Sequence, residues 1–253
     1  MTGVMVVATV AYCIGGCLIG GAGIFVLLNL GDHRALRTLR RVVPSPVPAR
    51  TSGRVAVEGR TEYGPSGRQV GPVTGEGCVW FHVRLIREPA RWQSTGESDP
   101  VYDVLLEFSS PGGFALADHS GRLPVDPAIL GHPYPMEPGV AVKTTIEHGP
   151  KAPRTLPPVV PREVVDDLRK NERLTLTESR VPRGVQVFAL GRLARGELRQ
   201  SRAGLTVFTT KTRDEVIAAR KDGISLGNRM IVSFALLGLA LAGGGVGYLA
   251  TLA

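Results

Sequence analysis

Val4–Leu30 reads VMVVATVAYCIGGCLIGGAGIFVLLNL, 27 residues without a single Asp, Glu, Lys or Arg. As a helix rising about 1.5 Å per residue it reaches about 40 Å, more than the roughly 30 Å hydrocarbon core of a bilayer. A cleaved signal peptide would need a basic start, an apolar region of about 7–15 residues and a small-residue cleavage site. Here Met1-Thr2-Gly3 carries no side-chain charge, and the apolar run passes directly into arginines. A buried helix of a soluble protein is the other alternative, but a helix apolar on every face over this length belongs in lipid. The expectation is therefore an uncleaved anchor.

A second uncharged stretch, Met230–Ala253, closes the chain with Ile231, Val232, Phe234, Leu236, Leu237 and Leu239, followed by a glycine-rich half. Basic residues crowd the inner ends of both stretches: Arg34, Arg37, Arg40 and Arg41 after the first, and Arg220, Lys221 and Arg229 before the second. The outer ends carry no Lys or Arg. The positive-inside rule then predicts a cytoplasmic central domain with both termini outside. The same seven residues suit two roles, setting topology or lying against anionic lipid headgroups. Gly16-x-x-x-Gly20 and Gly243-x-x-x-Gly247 match the small-residue pattern of closely packed membrane helices, although glycine is common in such helices anyway. If the pattern acts, the spans pack on each other or on a second copy.

The 253 residues carry a formal charge of +8 and are 43% hydrophobic. Between the two stretches lie about 200 residues, enough for one domain with a real core. Aromatic content is only 6%, so no stacking platform for nucleic acid is evident. Cys13 and Cys17 lie in the first stretch and Cys78 stands alone in the central part, so neither an intradomain disulfide nor an all-cysteine zinc site is available. The five histidines (His33, His82, His119, His132 and His148) lack ligand spacing, and no phosphate loop is present. No metal, cofactor or catalytic residue is expected. Asp118-His119-Ser120 invites a triad reading, but neighbours in one tight turn do not line up as nucleophile, base and orienter.

Pro44, Pro46 and Pro48 predict an extended spacer. Alternation predicts strands over residues 54–59, 78–88 and 101–108, with a Gly/Pro loop over 64–77 and a polar loop over 89–100. A hairpin follows over 113–127, turning through Asp118-His119-Ser120-Gly121. Further strands are expected at 139–148, 174–180, 185–193 and 205–209. A helix is expected over 162–172 after the proline-rich 150–161. Thr212-x-x-Glu215 is a capping box opening a helix to about Lys221, and 222–227 would then lead into the second span.

The order of several motifs resembles the GIDE-type, or Beside-A-Membrane, domain of the mitochondrial-membrane RING E3 ubiquitin ligases. The residues are Gly59, Cys78-Val79, Trp92, Phe114-x-Leu116-x-Asp118-x-Ser120-Gly121-x-Leu123-x-Val125, and Glu178-x-x-x-Pro182-x-Gly184-x-x-Val187-x-x-x-Gly191-x-Leu193, within a membrane frame. In those ligases a zinc-binding RING finger follows the second span. The sequence here stops at Ala253, so the resemblance implies a RING-less homologue without the usual route to ubiquitin transfer.

The reading is an α+β membrane protein with a β-rich, barrel- or sandwich-like soluble domain and short helices, flanked by N- and C-terminal transmembrane helices. Its parts are span 4–30, a basic and Pro-rich linker 31–53, a GIDE-like domain 54–227 and span 230–253. The expected role is a non-enzymatic binding or scaffolding module in the cell membrane, with lipids and an unidentified protein as partners, no nucleic acid, and possible homo-oligomers through the spans. A ubiquitin-ligase-like transferase and an envelope assembly factor are the alternatives.

Overall fold

The structure, a computed structural model, describes residues 2–46, 52–89, 102–130, 139–150, 156–201 and 204–250. Helix α1 (Thr2–Arg41) opens the chain, followed by strands β1 (Gly53–Glu62), β2 (Gln69–Val70), β3 (Gly77–Cys78), β4 (Trp80–Glu88), β5 (Asp103–Ser109), β6 (Phe114–Ala117) and β7 (Arg122–Val125). A 3-10 turn (Pro127–Leu130), β8 (Val142–His148), helix α2 (Arg162–Asp166), β9 (Arg173–Val181), β10 (Gln186–Ala194), β11 (Glu197–Arg199) and β12 (Val207–Thr209) lead to helix α3 (Arg213–Ala250). The chain divides into a helical unit, residues 1–42 with 213–253, and a β unit, residues 43–212.

In the helical unit α1 and α3 lie antiparallel, and both are long and apolar enough to cross a membrane. Their apolar residues point outward: Val7, Leu27, Leu28, Leu226, Leu236 and Leu239 are each more than 60% exposed. Glycine lets the two backbones touch, because a Cβ on Gly15 would stand 2.6 Å from the Gly238 carbonyl oxygen, and one on Gly245 would stand 3.0 Å from that of Ala8. Phe25 meets Phe234 edge to face at 5.7 Å. Nearer the β unit's attachment points, Asn29 donates to Asn228 at 2.9 Å.

Both helices outrun their apolar stretches. The expected linker is helical as far as Arg41, since nothing before Pro44 breaks the pattern. Likewise the expected connection 222–227 is helix, and Arg213 to Ala250 is continuous. Gly227 is accommodated because it gives Asn29 room, its Cβ position lying 2.6 Å from that side-chain oxygen. The stretch 213–227, expected in the soluble domain, thus belongs to the helical unit.

The β unit is built on a closed barrel of five strands in the order β1-β6-β7-β11-β10, with β10 returning to β1 and β12 added outside β10. Numbered along the chain, the barrel order is 1-2-3-5-4-1. Neighbours are antiparallel except β7 and β11, which are parallel. This is the Greek-key connectivity of an OB-type barrel. Its core contains Val57, Trp80, Phe114, Leu116, Val187, Ala189 and Leu198. Two insertions in the barrel, between β1 and β6 and between β7 and β10, supply an antiparallel sheet ordered β5-β4-β9-β8. One face of that sheet forms a second core from Phe81, Val83, Leu85, Leu174 and Leu176, with Val160, Val164 and Leu168 packed on it.

Several local expectations shift. The 64–77 segment contains the short β2–β3 pair. Helix α2 ends at Asp166, not Glu172, because the chain turns where Glu172 accepts the Arg169 N–H at 2.9 Å. The loop expected at 89–100, Trp92, His132, Pro48 and most of the proline-rich 150–161 segment's first half fall largely outside the described residues.

Candidate functional site

The seven flanking basic residues separate into distinct groups. Arg220 forms an ion pair with Asp32 across the two helices. Lys221 and Arg229 are exposed on α3, which also exposes Asp214, Glu215 and Asp222. Arg34, Arg37, Arg40 and Arg41 are exposed on α1, with no side-chain hydrogen-bond or ion-pair partner among the described residues. Gly16, Gly20, Gly243 and Gly247 have nothing within 4 Å of their Cβ positions. Packing of the two helices on each other therefore uses Gly15, Gly238 and Gly245 instead. The register that brings Gly15 to Gly238 turns the G-x-x-x-G rows away from the contact. Asn29, Asp32 and Asn228 carry no signal in the sequence, because each looks like an ordinary solvated residue until a helix from the far end of the chain lies beside it.

The motif residues that carried the family resemblance turn out to hold the scaffold. A Cβ on Gly59 would meet the Ala117 carbonyl oxygen at 2.8 Å, so glycine lets β1 approach β6. Asp118 Oδ1 accepts the Ser120 N–H at 2.7 Å, its hydroxyl at 2.5 Å and the Gly121 N–H at 3.0 Å. That closes the hairpin turn and commits the carboxylate and hydroxyl to each other. Gly184 turns the β9–β10 connection at φ +83°. There the buried Thr61 hydroxyl donates to the Pro182 carbonyl at 2.7 Å and accepts the Val185 N–H at 2.9 Å.

Glu178 is wholly buried on β9. It accepts the Val73 N–H at 2.7 Å and the Thr74 hydroxyl at 2.6 Å, pinning the turn between β2 and β3. Arg180 lies beside it, 4.0 Å from Oε1, and pairs with Glu76 at its far end. Cys78 is fully buried next to this cluster. Burial, and secondarily the Glu178 charge, pushes its thiol up, so it is a poor nucleophile.

Among the clefts formed by the described residues, two bring together side chains of both charges. An open cleft of about 990 Å³ at one end of the barrel is lined by Glu58, Arg60, Glu62, Asp118, His119 and Arg183, among others. Arg183 holds Glu62 at 2.7 Å and lies over the Tyr63 ring at 4.9 Å. The Arg183 hydrogen bond keeps the Glu62 carboxyl below the usual carboxylate range. With Glu62 engaged by Arg183 and Asp118 by its own turn, the side chains of Arg60 and His119 are left without a partner among the described residues. A smaller groove of about 210 Å³ lies on the open face of the second sheet, where His82 stands 3.3 Å from Glu107 and Arg84 lies over Tyr102 at 5.2 Å. Both are lined largely by polar and charged residues, unlike the enclosed apolar pockets that hold small molecules.

No family model matches the chain, and neither a curated protein nor a solved structure matches it.

Proposed function

We propose that this chain is a two-span integral membrane protein that presents a GIDE-like barrel domain as a binding or scaffolding module beside the membrane, on the cytoplasmic side. The observation that carries the reading is the outward face of the helix pair. Only 11% of the most apolar window of each helix is buried. A soluble protein would bury such windows; exposed to water, so large an apolar surface would drive aggregation.

The arginines at the inner helix ends support the cytoplasmic placement. Ends of α1 and α3 that meet at Leu39 and Arg213 mean that the β unit is tethered at two adjacent points. The open, mixed-charge cleft supports docking of a polar protein segment. The barrel connectivity by itself assigns no ligand.

Alkaline carbonate extraction of membranes from expressing cells tests the membrane part: the protein stays with the lipid pellet, and release into the supernatant would overturn it. Sidedness is read with a cysteine in place of exposed Arg162 (Arg162→Cys) and a membrane-impermeant maleimide. Labelling only after permeabilisation is the expected result. Labelling in intact cells would place the domain outside, as an envelope assembly factor.

A further inference from the structure

We propose that Arg34, Arg37 and Arg41 on α1 form a docking face for anionic phospholipid headgroups, so that the chain gathers acidic lipid around its first helix. The inference rests on the membrane reading above and names the partner of that same surface.

Three observations single out this row. First, none of the three arginines has an ion-pair partner among the described residues. Asp32 is the only carboxylate on α1, and Arg220 already engages it. On α3, by contrast, Lys221 and Arg229 share the surface with exposed Asp214, Glu215 and Asp222. Second, the row has one direction. With 3.6 residues per turn, Arg34, Arg37 and Arg41 fall within about 60° of one another. Leu36 and Leu39, 7% and 1% exposed, occupy the opposite side. Like charges at these spacings repel one another, and an anionic surface relieves the repulsion.

Third, the row continues a lipid-facing line. Leu27 and Leu30, 69% and 48% exposed, lie on the same strip of the helix one to two turns earlier. Whatever covers those leucines is the neighbour of the arginines. Arg34 sits about 6 Å beyond Leu30 along the axis and Arg41 about 16 Å. The headgroup layer is about 5–8 Å deep on each side, so Arg34 lies within it. The others reach back along their own aliphatic stems, or act across about one Debye length. This continuity favours lipid over a soluble acidic protein as the occupant.

The test uses the full-length protein reconstituted into phosphatidylcholine vesicles, with and without phosphatidylglycerol, and spin-labelled forms of both lipids. The relative association of phosphatidylglycerol over phosphatidylcholine is expected to be several-fold, since each basic residue at the surface contributes about fivefold. The triple variant Arg34→Gln, Arg37→Gln, Arg41→Gln brings it close to one, whereas the double variant Lys221→Gln, Arg229→Gln keeps most of it. Equal association of the two lipids with the unaltered chain, or a preference that survives the triple variant, would overturn the inference. Flotation of the same samples separates the two readings: a chain that fails to float with either vesicle refutes the membrane reading and this one with it.

Discussion

Arg213, the first residue of α3, donates to the main-chain oxygen of Leu39 in the last turn of α1 at 2.9 Å. The same guanidinium reaches the Arg40 oxygen at 3.1 Å. The last carbonyls of a helix have no partner within it, so the start of one long helix caps the end of the other. Replacing Arg213 with Ala removes about 1 kcal/mol from this closure. Hydrogen exchange of the amides in the last turn of α1 then speeds up by about fivefold, while exchange between Val6 and Leu28 stays unchanged. Equal exchange in the two proteins would show that the cap contributes nothing.

The glycines predict a contrast. Gly15→Leu drives a side chain into the Gly238 and Ala242 backbone and costs about 1–3 kcal/mol of thermal stability in detergent. Gly16→Leu enters open space and stays within about 0.5 kcal/mol. Similar losses from both would mean that the helix register is wrong.

Glu178 predicts a folding defect in the β unit. Glu178→Gln weakens two charge-assisted hydrogen bonds and leaves buried Arg180 with less countercharge. The cost is about 2–3 kcal/mol in urea unfolding of the full chain followed by tryptophan fluorescence. An unchanged midpoint would deny the carboxylate its role in pinning the turn.

Glu62 predicts a small pH effect with a definite sign. Its folded-state pKa lies below the ordinary value, chiefly because of the Arg183 hydrogen bond. The associated stability is fully present above the ordinary carboxylate value and is lost as pH falls through the lowered one. Carboxyl NMR of selectively labelled protein should place the Glu62 midpoint below the usual value of about 4.3. Arg183→Gln should raise it toward that value, the Tyr63 N–H bond to Glu62 at 2.9 Å staying in place. A midpoint unmoved by the substitution would assign the shift to something other than the pair.

Much of the helical unit was legible because an uncharged run of 27 residues admits few readings. Its boundaries were not, since polarity changes at Leu30 while the backbone pattern continues to Arg41. The second helix was divided for the same reason: Gly223 and Gly227 look like breakers until Asn29 is seen filling the space beside Gly227. Strand alternation gave β4, β9 and β10, and the turn residues at 118–121 gave the β6–β7 hairpin. Barrel closure was beyond local pattern. It depends on β1 pairing with β10, whose register joins Val55 to Gly191, and on β11, three residues hidden behind the tight turn at Arg195 and Gly196. The acidic partner of Arg220 was missed for a related reason, because a pair separated by 188 positions leaves no local signal.

Cys13 and Cys17 give the most direct measurement of the central claim. Both are exposed on the surface of α1, so the fold itself does not shield them, whereas it does shield Cys78. The full chain in sealed vesicles is treated with a bulky water-soluble maleimide, before and after denaturation in detergent. The account predicts that all three thiols stay unmodified in vesicles and react after denaturation. Prompt labelling of Cys13 and Cys17 in intact vesicles, with Cys78 still protected, would contradict it.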